Sequence, residues 1–330
     1  DLIWDKRRNT SGHHHLWIDT IRGGDKSLSS NLQASDNTNA NRDMTFLANG
    51  IRWNSDTGNA NANGGTYAVW CWKGGGAAVT NTDGNITSSV SANQESGFSI
   101  VTYTGNGNSP QTIGHGLGKV PSWVIVKDRD NNMDWVVKHK NSSSNKILYL
   151  QTDSAEDTGT GSNNGIIDNL TSATATTVTL TNNGSGNMNM VNKSSTDYVM
   201  YCWAEIPGFS KFGEYRARDA NNSGPYIHTG FKPAWVMSKG LSLSWQDWSI
   251  FDYKRSNFGS NPRSGKLGAN EAIAEVNDEY NRVDFLSDGW RVSGLSASDI
   301  NYGSSYNVQI YMAFAEESSV TPFNTFPNAD

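Results

Sequence analysis

The stretch Tyr201-Cys202-Trp203-Ala204-Glu205-Ile206-Pro207-Gly208-Phe209-Ser210 joins two copies of an internal repeat, and it decides the fold. Its aromatic first half returns, in related form, as Trp70-Cys71-Trp72 and as Met312-Ala313-Phe314. Its second half, Gly208-Phe209-Ser210, repeats Gly97-Phe98-Ser99. A segment that recurs along a chain marks one structural unit per copy, so the sequence predicts tandem modules of about 110 residues.

Working outward from the junction gives the module boundaries. Pro121-Ser122-Trp123-Val124 matches Pro233-Ala234-Trp235-Val236, and Lys127 and Lys239 follow these prolines at the same distance. The opening residues, Asp1 to Lys6, match the residues that follow each proline, so the first copy begins in the middle of a module. We therefore expect a truncated module at 1–73, a linker at 74–96, complete modules at 97–206 and 207–317, and a C-terminal tail at 318–330.

The pattern within each copy predicts an all-β fold. Short runs rich in β-branched and aromatic residues, such as Trp123 to Lys127 and Thr176 to Leu180, alternate with loops of Asn, Gly, Ser and Asp. Asn49-Gly50 and Asp288-Gly289 are typical of tight hairpins. We expect tandem antiparallel β-sandwich modules, jelly-roll-like and arranged as a rigid string, with a barrel as the alternative. Only residues 269–280 approach a helical apolar period.

Composition narrows the classes of partner. The 330 residues carry a net charge of −6 with no run of Lys or Arg, so we expect no nucleic-acid partner. No apolar run approaches the roughly 20 residues that span a bilayer, so we expect no membrane insertion. Cys71 and Cys202 hold the same position in successive modules, which predicts two buried free thiols rather than a disulfide.

No catalytic motif emerges from the sequence, and we expect a protein that is not an enzyme and needs no cofactor. The run His13-His14-His15 has no further ligand at metal-site spacing, and we expect a solvated loop there rather than a metal site. The Asp-x-x-Arg pair occurs both at Asp19 and Arg22 and at Asp252 and Arg255. Because catalytic residues usually appear once, this repeated pair is interpreted as part of the scaffold.

Candidate binding residues are those that the repeat does not explain. Trp245, Arg216, Arg218 and Tyr226 are peculiar to the last module. Aromatic rings that stack on sugars, with planar Arg groups nearby, are a common way of recognising surface glycans. The alternative is that Trp245 packs beneath its own loop or in a subunit interface.

The junction string and Gly230-Phe231-Lys232-Pro233-Ala234-Trp235-Val236 resemble a module repeated in virion structural proteins of tailed bacteriophages, especially marine and cyanobacterial ones. The resemblance covers nearly the whole chain and supplies no catalytic residues. It implies a tail fibre or surface appendage, located on the virion surface, that contacts the host. Expected partners are further copies of the chain, other virion proteins and a host glycan or receptor.

Two other hypotheses remain at this point. One is a secreted bacterial adhesin or extracellular filament protein built on similar modules. The other is a glycan depolymerase, which would need two carboxylates facing each other across a groove.

Overall fold

The structure is a computed structural model that describes residues 1–38, 43–54, 59–159, 165–182, 188–218, 224–255, 260–277, 279–296, 298–303 and 307–316. The predicted tail, 318–330, lies outside these residues. The described residues form β-strands and no helices, and the paired strands run antiparallel. This confirms the all-β prediction. The stretch 269–280, whose apolar pattern comes nearest to a helical period, forms no helix in its described part. Its described part contains only a two-residue strand, and the Ile273 carbonyl oxygen instead accepts a hydrogen bond from Lys6 Nζ at 2.9 Å.

The first module, residues 1–73, is built on a three-stranded sheet in the order β2-β1-β7. Its strands are β1 (Leu2–Arg7), β2 (Leu16–Asp19), β3 (Lys26–Ser27), β4 (Asn37–Thr38), β5 (Met44–Leu47), β6 (Gly50–Trp53) and β7 (Tyr67–Trp72). The β5–β6 hairpin turns at Ala48-Asn49, one residue before the predicted Asn49-Gly50, because Gly50 already pairs with Leu47. It packs Met44 over Ile3 and Ile18.

The second module forms a seven-stranded sheet, β14-β13-β12-β17-β10-β9-β8, and a three-stranded sheet, β11-β16-β15. Its strands are β8 (Val79–Asn81), β9 (Ser88–Asn93), β10 (Phe98–Thr104), β11 (Gln111–Gly114), β12 (Trp123–Asp128), β13 (Trp135–His139), β14 (Leu148–Tyr149), β15 (Ile166–Ile167), β16 (Thr177–Thr181) and β17 (Asp197–Trp203). The two sheets enclose an apolar core that includes Val101, Val124 and Val178.

Residues 74–96 do not form the predicted linker. They supply β8 and β9, and β9 pairs with β10 from Phe98 to Tyr103. Val90 of β9 is buried in the core of the second module, so this segment folds as part of that module.

The third module, residues 207–316, has a six-stranded sheet, β18-β26-β20-β21-β22-β23, and a three-stranded sheet, β19-β25-β24. Its strands are β18 (Ser210–Arg216), β19 (Tyr226–His228), β20 (Pro233–Gly240), β21 (Ser249–Asp252), β22 (Gly265–Gly268), β23 (Val276–Asn277), β24 (Val283–Leu286), β25 (Gly289–Val292) and β26 (Val308–Ala315). Val236, Phe251 and Trp290 belong to the core between these two sheets.

Pairing registers show that the three large sheets are built alike. The closing strands β7, β17 and β26 pair with β1, β12 and β20 in the same register: Trp72 lies opposite Leu2, Trp203 opposite Trp123, and Phe314 opposite Trp235. Trp123 and Trp235 therefore occupy equivalent positions, as do Cys202 and Ala313, as the repeat predicts.

The modules share a central core rather than forming the expected string. One apolar cluster includes Trp4 and Trp72 of the first module, Trp203 of the second and Trp235 of the third. The Trp72 ring centroid lies 6.1 Å from that of Trp203 and 5.7 Å from that of Trp235. In the second and third modules the large sheet buries one face against its own small sheet and the other in this common core. Burial of that second face requires the neighbouring modules.

Equivalent hydrogen bonds link the modules in a closed ring. Trp135 Nε1 of the second module donates to the Ser29 carbonyl oxygen of the first at 3.0 Å. Trp248 Nε1 of the third donates to the Tyr149 carbonyl oxygen of the second at 3.0 Å. His15 Nε2 of the first lies 2.9 Å from the Gly268 carbonyl oxygen of the third. The modules therefore have an approximate threefold arrangement within one chain.

Three buried lysines form a second set of equivalent hydrogen bonds between the modules. Lys6, Lys127 and Lys239 hold equivalent positions on β1, β12 and β20, and each donates to a carbonyl oxygen of a neighbouring module. The acceptors are Ile273, Gln33 and Asp153, at 2.9, 2.9 and 3.1 Å. Burial lowers the pKa of each lysine to about 8.

Both cysteines are free, as predicted, but only one is buried. Cys202 is enclosed within the second module, whereas Cys71 is exposed. The prediction of two buried thiols is wrong for Cys71 because β7, unlike β17, lies at the edge of its sheet.

Candidate functional site

Trp245 lies in the loop between β20 and β21, and 86% of its surface is exposed. Among the described residues no other large apolar side chain is as exposed. Its φ of 72° lies in the left-handed region, which costs a bulky residue of order 1–3 kcal/mol and persists only where the surroundings fix the backbone. The alternative in which Trp245 packs beneath its own loop is therefore wrong.

A buried charged cluster anchors the residues that follow Trp245. Lys266 Nζ donates to Asp247 at 2.7 Å and to Asp299 at 2.5 Å. Asn270 Nδ2 donates to the other Asp247 oxygen at 2.8 Å, and Gln246 Nε2 donates to the Asp299 carbonyl oxygen at 2.9 Å. Only 6% of the Lys266 side chain is exposed. An ion pair at this depth needs well-formed geometry to offset its desolvation, so the cluster fixes the loop that presents Trp245.

Glu271 also belongs to this charged cluster. Burial raises the pKa of Glu271 to about 7, with Asp247 and Asp299 adding to the shift and Lys266 opposing it. The nearby Lys266 ammonium group lowers the pKa of Asp247, against the effect of burial. Glu271 therefore titrates near neutral pH, while Asp247 remains the ionised partner of Lys266.

Arg216 and Arg218 lie at the same end of the third module as the Trp245 loop. Arg216 pairs with Val308 across β18 and β26, and both arginines are exposed. The Leu241 N–H, at the start of the Trp245 loop, donates to the Val308 carbonyl oxygen at 2.9 Å. The beginning of β26 therefore has the end of β18 on one side and the Trp245 loop on the other.

Tyr226 belongs to a different surface. It pairs with Arg291 in the small sheet, and its hydroxyl donates to Asp288 Oδ1 at 2.8 Å, next to the β24–β25 turn. These contacts lie in the small sheet, whereas Arg216 and the Trp245 loop lie beside β26 of the large sheet. The four candidate residues therefore do not form one site: three share an end of the module, and Tyr226 lies apart.

The histidine run is not the solvated loop that the sequence predicts. His15 is fully buried, accepts a hydrogen bond from Trp4 Nε1 at 2.7 Å and contacts Gly268 of the third module. Burial lowers its pKa well below the ordinary value. Searched over the described ranges, the chain contains no group of three or more His, Cys, Asp or Glu placed to hold a metal ion. The same ranges contain no helix with the length and apolar character needed to cross a membrane.

Fold and surface together define an all-β protein of packed sandwich modules that presents an aromatic residue on an anchored loop. The chain belongs to the family described as "Domain of unknown function (DUF7483)", whose match covers residues 1–318 and so includes all three modules. No curated protein and no solved structure matches it.

Proposed function

We propose that the protein is a structural component of a tailed-phage virion, a fibre or appendage at the virion surface, and that the Trp245 loop contacts the host. The observation that carries the host-contact proposal is the exposure of Trp245 on a loop anchored by buried ion pairs. Binding residues are found disproportionately on loops that a rigid scaffold positions, and tryptophan is enriched among the residues that dominate binding energy.

The neighbouring groups favour a host-surface glycan as the ligand. An indole ring can stack on the apolar face of a sugar, and the exposed Arg216 and Arg218 place hydrogen-bond donors at the same end of the module. We expect the other partners to be further copies of the chain and other virion proteins, without nucleic acid and without insertion into a membrane. The proposed role is structural and requires no catalytic step.

Replacing Trp245 with alanine tests the contact surface. We expect Trp245→Ala to lower binding of the purified chain to host cells at least tenfold, because the exposed indole is lost. Its melting temperature should not fall, since the ring packs on little of the chain and alanine leaves the anchoring cluster intact. Tyr280→Ala, at a tyrosine of the same module that is 51% exposed, is the matched control and should bind normally. Equal binding by the Trp245 variant and wild type would contradict the proposed contact.

The proposed location is tested separately by gold-labelled antibody against the chain on purified phage particles. Labelling at the particle surface is the expected result. Chain found on the surface of bacterial cells but absent from particles would contradict it and favour the adhesin hypothesis.

A further inference from the structure

The edge strand β7 lacks the neighbour that its counterparts have. In the second module β10 lies beside β17, and in the third β18 lies beside β26. Within the described residues β7 pairs only with β1. The position that a first strand would fill is therefore open in the first module.

A continuous groove marks this position. One cavity, of about 530 Å³, is lined by Val69, Cys71, Trp72, Trp235 and Phe314. A second, of about 300 Å³, shares Val69 and Trp235 with it and continues past Tyr67. Together they follow β7 along its whole length, between the first and third modules.

The backbone of β7 is oriented to pair with a strand in this groove. The carbonyl oxygens of Thr66 and Trp72 accept hydrogen bonds on the β1 side, from the Arg8 N–H and from the Asp1 nitrogen. Successive residues of an antiparallel strand turn their N–H and C=O groups to opposite sides. Val69 and Cys71 therefore direct theirs into the groove, and an exposed edge of this kind readily adds a strand.

The third module shows how the side chains of such a strand would pack. Phe212 of β18 lies over Trp123 of the second module, with ring centroids 6.5 Å apart. Trp235 is the equivalent of Trp123 and lines the groove. An apolar side chain from a strand beside β7 would meet Trp235 in the same way.

We propose that this groove binds an extended antiparallel strand of the β10 type, which completes the first module. Such a strand directs Phe98 and Ile100 toward the central core and Val101 and Tyr103 toward the opposite face. Among the described residues the two strands of this type, β10 and β18, are already paired in their own sheets. The occupant is therefore a third strand with the same alternation, and this inference does not depend on the proposed virion role.

A synthetic peptide with the sequence of residues 97–104 tests the proposal on the whole chain. We expect saturable binding, measured by fluorescence anisotropy, and at least tenfold slower modification of the Cys71 thiol by a thiol reagent. Cys202, which is fully buried, should not react in either case. A peptide of scrambled sequence should neither bind nor protect Cys71.

Backbone methylation provides the register control. In the second module Ser99 lies opposite Cys202 and Val101 opposite Met200, the counterparts of Cys71 and Val69. N-methylation at Val101 of the peptide removes a donor directed at β7 and should weaken binding at least tenfold. N-methylation at Ile100, whose N–H points away from β7, should change binding less than threefold.

Two results would overturn the proposal. One is failure of the peptide to bind or to protect Cys71. The other is a chain that dimerises through β7, seen as a dimer in sedimentation with Cys71 already protected, since a second copy would then be the occupant. Normal binding to host cells alongside either result would leave the proposed function standing.

Discussion

Trp135 shows how one buried donor can join two modules. Its indole N–H reaches the carbonyl oxygens of Ser29 and Leu32 in the first module, both at 3.0 Å. Trp123 is as deeply buried in the same module, but its Nε1 has no hydrogen-bond partner among the described residues. The two tryptophans therefore differ in whether they bond to another module.

Replacing each with phenylalanine separates that bond from loss of ring volume. We expect Trp135→Phe to lower the free energy of unfolding by about 1 kcal/mol more than Trp123→Phe, because it removes a buried hydrogen-bond donor that bonds to the first module, whereas Trp123 Nε1 has no partner to lose among the described residues. Chemical denaturation of both variants measures the difference. Equal destabilisation would show that the inter-module hydrogen bond contributes little.

The sequence predicted the role of the Asp-x-x-Arg pairs but not the burial of the lysines or of His15. The repeated Asp-x-x-Arg pair is the predicted scaffold feature, with Arg22 Nε 2.6 Å from Asp19 Oδ2 and Arg255 Nε 2.5 Å from Asp252 Oδ2. The repeat also aligned Lys6, Lys127 and Lys239, but polar side chains are usually exposed, so alignment alone did not predict their burial. His15 was misjudged for the same reason. Its partner, Gly268, lies 253 residues away, and no local pattern indicates a contact of that range.

The loop that carries Trp245 is stabilised by a cluster that spans the loop, β22 and the segment around Asp299. Burial raises the pKa of Glu271 in this cluster from its ordinary value of 4.5 to about 7 in the folded protein. Between pH 4.5 and 7 the folded state consequently holds more protons than the unfolded state. The contribution of Glu271 to stability therefore falls as the pH rises through this window, and above pH 7 the fold carries the cost of a buried charge.

Glu271→Gln replaces the carboxyl group with an amide of similar shape that is uncharged at every pH. We expect the variant to gain stability relative to wild type as the pH rises from 5 to 8, by about 1 kcal/mol after allowance for solvent screening. The charged groups that face Glu271, which are Lys266, Asp247, Asp299 and Lys6, are the same in both proteins, so the comparison isolates the change at Glu271. Denaturation at pH 5 and pH 8 measures the change, and a difference that stays constant or reverses would contradict the assigned pKa.

The positions of the strands were predicted better than the register in which they pair. The closing strands and the two hairpins carry local signals, and all are found. Each turn lies one residue before the predicted Asn-Gly or Asp-Gly pair, because Gly50 pairs with Leu47 and Gly289 with Leu286. The first strands show the limit of sequence alignment. Ala204 N–H donates to the Gly97 carbonyl oxygen, but its counterpart Ala315 donates to Phe209, so the aligned Gly-Phe-Ser motifs pair one residue out of step. A one-residue shift reverses the faces of a strand, so Phe212 rather than the aligned Lys211 takes the place of Ile100.

The candidate site was predicted residue by residue, but its geometry was not. Trp245, Arg216 and Arg218 departed from the repeat, and this departure is the signal that found them. Tyr226 departed from it equally, yet its small sheet places it on another surface. The sequence predicts the open edge beside β7, because no segment before β7 matches β10. It does not predict that third-module residues line the groove, because that depends on the threefold packing.

The packing of three modules around one core could not be read from the repeat. Repeated modules can form a string or a ring with the same local pattern, and only long-range contacts separate the two. The aromatic residues of the closing strands meet in the centre, where Trp72 contacts Trp203, Trp235 and Phe314. The chain therefore reproduces within one polypeptide an arrangement that three separate subunits could form.

Calorimetry of thermal unfolding tests this arrangement most directly. If the inner faces of the three large sheets are buried only against one another, no module can unfold without exposing the core of the others. We predict one transition, with equal calorimetric and van't Hoff enthalpies, that Trp135→Phe shifts to lower temperature as a whole. Separate transitions for the modules, with only one of them moved by Trp135→Phe, would contradict the shared core.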